Sequence, residues 1–546
     1  MRTNTISMLF FTTLLFVTAC VSEETTNKQT KQEQESDAEE LTAFVVEEKN
    51  PQTRTTGEYD GSGIKFYWTQ YDNLWVNNGT LKKNARNTIS ESLRNHPTIP
   101  TAVLRTPTAK FYFLGTYTAA SYPVRYTGTY NNAGDKVNIA AQQEQYNAND
   151  ASHLGRSGDC GTALATKSGS RYTFTLDHKA AYLTFLPYTM QEYFSNAVIT
   201  QIKVTTEKAI CGQFNFDDNG IDVDNSRPTA SPVNQSIILQ LNGGGNNGFP
   251  IPKDAANPSK NAAVMVLAPG TYNSFTVQYT IYDKTTSTLG TITKTYNNLT
   301  LAAGKNKRVH TNLHVKEYPA YDYYMWDAAE GQHYWKGYEW NNPNKTLRQQ
   351  PTINGITVTA YAPQPSPESG SNPRGYRADT SSPVPPASRS AKDCPNVNEM
   401  AWYCMQGDPH WDSELWACMG HLYGNGMWFK RKSKIPGFSA SGYTDPNSHI
   451  TTDYRTSGYP GFSNSTTQGR PTNLNDYFFL PALGSYFYLG QLFIAGIGGD
   501  FWSSTPYGTS SAFRLNFRQY NVNIMSFQRD CGFVQWTSED QYGAPF

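Results

Sequence analysis

Apolar and polar residues alternate with a period of two along much of the chain between Gly57 and about residue 320. The alternating runs are rich in Val, Ile, Thr, Tyr and Phe, and Gly, Asn, Asp or Pro bounds each of them, which is typical of β strands joined by turns. Helical periodicity is scarce in this part of the chain. The pattern predicts two antiparallel β domains, which we place at residues 51–185 and 186–320.

One stretch in the last third has the periodicity of a helix. In "NVNEMAWYCM", from Asn396, the apolar residues fall at spacings of three, one, three and one, so that one face of a helix turns towards a core. Asn396 and Glu399 have the spacing of a capping box, and Pro395 is well placed just ahead of it. The helix predicts a separate C-terminal domain at residues 390–546.

Two segments lie outside this regular patterning. Residues 321–389 are very aromatic at first and then rich in Pro and Ser, which predicts a connector with a long exposed loop. Residues 21–50 are polar, charged and almost free of aromatic side chains, which predicts a flexible tether.

The N-terminus has the pattern of an export signal. Arg2 is followed by an apolar run from Met8 to Val17, which is too short to span a bilayer and predicts a signal peptide at residues 1–20. The ending Val17-Thr18-Ala19-Cys20 resembles the lipobox of bacterial lipoproteins. The resemblance implies a lipid on Cys20 that holds the precursor on a membrane. The alternative is an ordinary cleavage site followed by a cysteine.

Composition narrows the class of function. Lys+Arg and Asp+Glu number 45 each, and a net charge of zero gives no support for a nucleic-acid partner. Aromatic residues make up 14% of the chain and charged residues only 16%, which suits exported β domains. The sequence offers no nucleophile elbow, zinc-protease motif or plausible triad, so we expect no enzyme, no catalytic residue and no cofactor.

Six cysteines remain once Cys20 is lipidated, and an exported protein permits disulfides. Ten residues of helix would hold the Cα atoms of Cys394 and Cys404 about 15 Å apart, which is too far for them to pair with each other. Four cysteines of the C-terminal domain allow three connectivities. Among these we expect a disulfide from Cys394 to Cys531, which would close the domain front to back.

The remaining cysteines leave alternatives open. Cys160 and Cys211 lie in the β region and could pair. Cys404 and Cys418 are alternatively buried free thiols, which is common for cysteine. A zinc site that includes His410 or His421 also stays open, but the spacing matches no common pattern, and we predict no metal site.

Aromatic side chains near amides suit contacts with glycans or proteins. We expect such contacts in the stretch from residue 334 to residue 340 and in the turn that ends at Tyr507. The alternative is core packing, which we favour for Trp502. The candidate ligand contacts are Tyr334, Trp335, Tyr338, Trp340 and Tyr507.

Four strand sequences carry a family resemblance over about residues 51 to 318. They are similar, in this order, to strands of the fimbrillin-type pilins of Bacteroidales: "IKFYWTQYDNLWV", "YTFTLDHKAAYLTF", "LAPGTYNSFTVQYTIYD" and "LAAGKNKRVHTNLHV". The resemblance implies two tandem transthyretin-like β-sandwiches and a protease cut after a basic residue, which would be Arg54. Loss of the first strand would open a groove that a neighbouring subunit fills with its own strand. The alternative is that Arg54 is a linker residue.

A second resemblance covers about residues 390 to 540. The Cys-Pro start at Cys394, the helix with Glu399, "LPA" from Leu480 and "FWSS" from Phe501 are similar in order to a paralogous domain of Fibrobacter surface proteins. That domain belongs to the C-type-lectin-like group of folds. The triplets that bind calcium and sugar in C-type lectins do not occur here, so the resemblance does not imply calcium-dependent sugar binding.

These observations predict a mainly β chain with two transthyretin-like β-sandwiches and an α+β, C-type-lectin-like head. We expect a fimbrial tip subunit or adhesin at the cell surface, made as an outer-membrane lipoprotein precursor and assembled with other pilin subunits by strand addition. Its head would bind host, microbial or glycan ligands. Because the C-terminus is built into the head, we expect the subunit to accept a strand from a neighbour but not to donate one. The alternative is a stand-alone surface lipoprotein that binds glycans or proteins without polymerising.

Overall fold

The computed structural model describes residues 40–46, 56–59, 63–192 and 196–543. Of the described residues, 44% are in strands and 7% in helices, which confirms the prediction of a mainly β protein. None of the helices in the described part is both long and apolar enough to cross a membrane. Cys20 and Arg54, the predicted lipidation and cleavage positions, lie outside the described residues.

The first β unit is built around its largest sheet, in which the strand order is β5-β4-β8-β12-β13-β1-β7-β6, with β14 on β12. Its core includes Phe44, Trp68, Phe111, Val124 and Tyr172. The elements of this part of the chain are β1 Leu41–Val46, β2 Thr56–Tyr59, β3 Ile64–Tyr67, β4 Trp75–Asn77, β5 Leu81–Lys83, β6 Arg86–Asn87, α1 Ile89–Ser92, β7 Lys110–Leu114, β8 Ser121–Tyr126, β9 Lys136–Ile139, β10 Gln142–Gln145, β11 Asp150–Ala151, α2 Leu154–Ser157, β12 Gly161–Ser168, β13 Arg171–Phe174 and β14 Asp177–His178.

The second β unit packs a sheet of order β10-β19-β16-β22-β23, with β20 on β16, and a smaller sheet of order β21-β15-β24 around a second core. Strands β22 and β23 form a hairpin with 14 residues in each arm. The elements that follow β14 are β15 Ala181–Tyr188, β16 Ala197–Thr206, β17 Gly212–Asp217, β18 Gly220–Ile221, β19 Ser236–Leu241, β20 Phe249–Pro250, α3 Pro258–Asn261, β21 Ala263–Leu267, β22 Gly270–Asp283, β23 Thr288–Leu301 and β24 Asn306–Asn312.

The predicted boundary at residue 185 is wrong. It falls inside β15, a strand that is paired on both edges, with β21 and with β24. The two units also interleave along the chain, because β10 pairs with β19 in the second sheet. Ile64 and Phe66, from early in the first unit, pack in the second core as well. A buried strand cannot be divided between two domains, so the second unit takes in all of β15.

The C-terminal head begins at β25 and contains two main sheets. One has the order β25-β27-β28-β33 with β32 on β27, and the other has the order β26-β39-β36-β37-β38-β31. Single-turn 3-10 helices occur at Lys345–Leu347, Lys432–Lys434, Leu474–Asp476 and Tyr488–Gly490. The remaining elements are β25 Lys316–Glu317, β26 Tyr323–Tyr324, α4 Val397–Gln406, β27 His410–Cys418, β28 His421–Lys430, β29 Tyr443–Thr444, β30 Thr451–Thr452, β31 Ser463–Ser465, β32 Thr467–Gln468, β33 Tyr477–Pro481, β34 Ser485–Phe487, β35 Gln491–Phe493, β36 Gly498–Tyr507, β37 Ser511–Arg518, β38 Asn521–Gln528 and β39 Phe533–Gln535.

Helix α4 confirms the predicted capping box. The Asn396 side-chain oxygen accepts hydrogen bonds from the backbone N–H groups of Asn398 at 2.9 Å and Glu399 at 3.2 Å. The Glu399 carboxylate accepts one from the Asn396 N–H at 2.8 Å. These bonds satisfy N–H groups that have no partner inside the helix. Cys404 lies on the buried face, as the apolar spacing predicts.

The predicted connector at residues 321–389 is wrong, because this segment is part of the head. Strand β26 pairs with β39, the last described strand. Trp326 is fully buried against Cys394 and Cys531. The Asp327 carboxylate accepts hydrogen bonds from the backbone N–H groups of Ser388 at 2.9 Å and Arg389 at 2.8 Å. The aromatic residues therefore fill a core, and Asp327 fixes the end of the Pro- and Ser-rich stretch.

Candidate functional site

Strand β1 lies in the interior of the largest sheet, between β7 and β13. It pairs antiparallel with β7, where Phe44 faces Phe111, and parallel with β13, where Phe44 faces Tyr172. The predicted tether at residues 21–50 is therefore wrong for Leu41–Val46. The physical reason is a short alternating run in which Phe44 and Val46 point to the core.

Phe44 is the main anchor of this strand. Its ring is fully buried and stacks on Tyr172, with centroids 4.7 Å apart and an interplanar angle of 12°. The rings of Phe113 and Tyr117 meet it edge-on at 5.0 and 5.4 Å. Val46 is also buried. Burial of one such side chain stabilises the fold by about 1.5–3 kcal/mol, so β1 contributes substantially to the first unit.

The sheet depends on β1 for its continuity. In the strand order, β1 alone joins β13 to β7. Without β1, both neighbours would expose a row of unpaired N–H and C=O groups, and the slot around Phe44 would lose its occupant. An unpaired edge of this kind accepts a strand from another chain. In sequence, Arg54 lies between β1 and β2, so a cut after Arg54 would separate β1 covalently from the rest of the sheet.

Strand β39 is held on both of its edges. Val534 faces Tyr323 of β26 on one side and Phe501 of β36 on the other. All three residues of β39 are buried. Beyond the strand, the Tyr542 hydroxyl donates a hydrogen bond to the Asp322 carboxylate at 3.0 Å. Removal of β39 from the head would break two ladders and open the core.

Two of the aromatic ligand candidates are core residues. Tyr334 and Trp335 are both fully buried. The ring of Tyr334 stacks on Tyr486 with centroids 5.6 Å apart, and its hydroxyl donates to the Phe487 carbonyl oxygen at 3.1 Å. Trp335 meets Tyr486 edge-on. Their assignment as ligand contacts is wrong, because they surround Tyr486 in the centre of the head. Trp502 is buried too, which confirms its predicted core packing.

The side chains of the other three candidates remain partly exposed to solvent. Tyr338 is half-buried against Tyr361, with the Arg374 guanidinium 5.2 Å from its ring centroid. Tyr507 is 42% exposed and meets the ring of Tyr459, which is 44% exposed, at 5.7 Å. The third, Trp340, lines a cavity of about 420 Å³ where β25 enters the head.

Other residues of that cavity were missed by sequence reasoning. They include Glu317, Tyr321, Gln350 and Gln541, which come from three separate segments of the chain. Only the aromatic character of the stretch around Trp340 gave a signal. No local pattern links Gln541 to Glu317, because tertiary pairing brings them together.

The predicted disulfides are not formed in this structure. The six cysteines of the described part are free and buried: Cys160, Cys211, Cys394, Cys404, Cys418 and Cys531. Cys394 and Cys531 nevertheless belong to one small cluster with Trp326 and Trp502. Burial raises the pKa of Cys394 and of Cys404 to about 12, so both thiols stay protonated at neutral pH and are poor nucleophiles. Within the described residues, no group of three or more His, Cys, Asp or Glu side chains could hold a metal ion.

Comparisons with known proteins give distant similarities. No protein-family model matches the chain, and no curated protein matches it. A protein from Bacteroides ovatus that is assigned to cell adhesion is 12% identical, with 50% of this chain and 92% of that chain covered and a TM-score of 0.29. The fimbrial anchor protein Mfa2 from Porphyromonas gingivalis is 10% identical, with 46% and 82% covered and a TM-score of 0.18. A fimbrial protein from Bacteroides ovatus is 11% identical, with 91% and 98% covered and a TM-score of 0.23.

Proposed function

We propose that the protein is a fimbrial tip subunit or adhesin that accepts a strand from a neighbouring pilin subunit. The observation that carries this proposal is the interior position of β1, with Phe44 at its centre and Arg54 downstream in the sequence. Cleavage after Arg54 frees β1 to leave. The neighbouring subunit then supplies a strand with an apolar residue in the Phe44 slot, and the sheet is completed again.

The precursor in this proposal is an outer-membrane lipoprotein with its lipid on Cys20, and the mature subunit lies at the cell surface in the fimbrium. The two β units are transthyretin-like sandwiches, and the head is a C-type-lectin-like domain that binds host, microbial or glycan ligands. Helix α4 and the two head sheets, packed around one aromatic core, support this assignment of the head.

The proposed position at the fibre tip rests on a difference between strands β1 and β39. In this proposal an incoming strand replaces β1, because a cut after Arg54 separates β1 covalently from β2, which lies in another sheet. Strand β39 differs from β1, because all three of its residues are buried, whereas four of the six residues of β1 are only half-buried. A subunit that accepts a strand through the β1 slot and keeps β39 ends a fibre.

The experiment that tests this is cleavage of the purified chain with an arginine-specific protease, followed by N-terminal sequencing and peptide exchange. We expect a new N-terminus at Thr55, and we expect the cut protein to bind a synthetic peptide of residues 40–46. The same peptide with Phe44→Ala is the matched control and should bind at least about tenfold more weakly. The variant Arg54→Ala should resist cutting, whereas Arg94→Ala, at an exposed arginine, should not.

The alternative is a stand-alone surface lipoprotein that binds glycans or proteins without polymerising. The observation that favours it is the complete sheet of the uncut chain, in which β1 already occupies the interior position. N-terminal sequencing of the protein from cells separates the two functions. A start at Thr55 with co-purified pilin subunits supports the tip subunit, and a lipidated Cys20 on a monomer supports the alternative.

A further inference from the structure

Two aromatic side chains line the cavity at the base of the head, one of them packed against the protein and the other exposed to solvent. Trp340 is half-buried and packs against the second β core and the head core. A Cβ atom placed on Gly420 would come within 3.0 Å of the Trp340 ring, so the indole lies close against the backbone there. Tyr321, also in the lining, is 59% exposed.

The floor of the cavity fixes Trp340 further. The Gln350 side chain is buried, and its oxygen accepts a hydrogen bond from the backbone N–H of Trp340 at 3.2 Å. Its amide nitrogen donates to the Ala320 carbonyl oxygen at 3.0 Å and to the Tyr486 hydroxyl at 3.1 Å. The backbone at Trp340 is therefore held in place, and its indole packs close against Gly420, so the ring is ordered before any ligand arrives. This order reduces the entropic cost of binding.

The charged groups of the lining are all acidic. Glu317 and Glu339 line the cavity, and no Lys, Arg or His is present among the described residues that line it. Glu339 already accepts hydrogen bonds from the His333 ring at 3.1 Å and from the Gly337 N–H at 3.1 Å. The Glu317 carboxylate, by contrast, has no hydrogen-bond or ion-pair partner in the part of the chain that the structure describes.

Glu317 is therefore an unpaired carboxylate beside aromatic faces. Residue 317 is exposed, but partial desolvation of its carboxylate raises the pKa of Glu317, because some water is withdrawn from the anion and no cation replaces it. A cation placed between Glu317 and Trp340 would restore that interaction and would also be attracted to the face of the indole. A neutral ligand would satisfy only the aromatic walls.

We propose that this cavity binds a protonated amine, with Glu317 as its ion-pair partner and Trp340 and Tyr321 as its aromatic walls. A volume of about 420 Å³ is at the small end of the range for ligand pockets and suits a group such as an alkylammonium chain or an amino sugar. The shared chemistry has two sources, a lysine side chain of a partner protein or an unacetylated amino sugar of a glycan. The amine would be the ligand to which the head adheres, so this proposal rests on the proposed adhesive function.

The test is a titration of the purified, uncut chain, followed by tryptophan fluorescence and calorimetry at low salt. The probes are Nα-acetyl-lysine amide and glucosamine, with N-acetylglucosamine and glucose as neutral counterparts. We expect at least one amine to bind, and the neutral sugars to bind at least about tenfold more weakly. Binding of the lysine probe alone identifies a protein source, and binding of glucosamine alone identifies a glycan source.

Three variants test whether the amine binds in this cavity. Glu317→Gln keeps the shape of the side chain and should weaken amine binding about tenfold or more without a change in melting temperature. Tyr321→Ala, at an exposed ring, should weaken it a few-fold. Glu330→Gln, at an exposed glutamate outside the lining, is the matched control and should leave binding unchanged.

The proposal is overturned if neither amine binds, if the neutral sugars bind as tightly as the amines, or if Glu317→Gln binds amines as well as the parent chain does. Because the titration uses uncut monomer, its result is independent of strand exchange. A chain that fails to exchange β1 can still bind an amine, and a chain that exchanges β1 can still fail this titration, so the two failures are distinguishable.

Discussion

Phe44 lies face to face with Tyr172, with ring centroids 4.7 Å apart and an interplanar angle of 12°. The two residues are directly opposite each other on the parallel strands β1 and β13. This contact joins the most N-terminal described strand to the aromatic core of the first β unit. It also defines the slot that the proposed strand exchange would empty and refill.

Replacement of Phe44 tests how strongly β1 is held. Phe44→Ala removes a fully buried ring and leaves a cavity, so we expect the free energy of unfolding of the first β unit to fall by about 3–5 kcal/mol. Urea denaturation followed by tyrosine and tryptophan fluorescence measures this. Leu164→Ala, at a side chain that is 59% exposed, is the control and should change stability by less than about 0.5 kcal/mol. Equal stabilities for the two variants would show that β1 is not docked in solution.

Strand β1 also shows why part of the fold could not be predicted from the sequence. The six residues of Leu41–Val46 stand inside "SDAEELTAFVVEEKN", whose average composition is that of a solvated tether. The partners of β1 are β7 and β13, which lie much later in the chain. Strand pairing at this separation leaves no local signal, because only the packed sheet decides which short alternating run is buried.

The head shows the same division between local and tertiary information. Helix α4 and its capping box were predictable, because the N–H groups of a helix end are satisfied by residues within three positions. Trp335 was misassigned because aromatic content alone does not tell whether a ring faces solvent or a core. Trp340, five residues later, lines a cavity, and the two residues differ only in their tertiary neighbours.

The capping box gives a second prediction. Asn396→Ala removes the side-chain oxygen that accepts hydrogen bonds from Asn398 and Glu399, so we expect a loss of about 0.5–2 kcal/mol in the stability of the head. Thermal unfolding followed by calorimetry measures it. Asn447→Ala, at an exposed asparagine, is the matched control. A loss no larger than that of the control would contradict the assigned cap.

The cysteines give a third prediction. Because burial keeps the thiols protonated, we expect none of the six cysteines of the described part to react quickly with Ellman's reagent at pH 8 in the native protein. All six of these thiols should react once the protein is unfolded in guanidinium, in addition to any Cys20 that carries no lipid. A smaller count in unfolded, unreduced protein would instead reveal disulfides, and non-reducing peptide mapping would then tell whether Cys394 is joined to Cys531. The free cysteines of the structure predict the full count.

The junction between the second β unit and the head gives a pH-dependent prediction. The Asp283 carboxylate is buried and accepts hydrogen bonds from the Thr285 N–H at 2.8 Å and the Leu422 N–H at 3.0 Å. The His421 ring nitrogen Nδ1 lies 3.6 Å from it. Burial raises the pKa of Asp283, but His421 and the two amides outweigh burial, so the pKa lies below its usual value of 3.8.

A carboxyl group whose pKa is lower in the folded than in the unfolded protein stabilises the fold above the unfolded pKa. That stabilisation is lost as the pH falls through the folded pKa. We therefore expect the free energy of unfolding to fall as the pH drops below about 4, and Asp283→Asn to remove this part of the dependence. At pH 7 the variant should also be less stable by about 1.5–3 kcal/mol, because it lacks a charged acceptor for the two amides. Urea denaturation between pH 3 and pH 7, with Asp393→Asn at the surface as control, measures both effects. The same acid slope in the parent chain and in Asp283→Asn would show that this carboxylate does not hold the head to the second β unit.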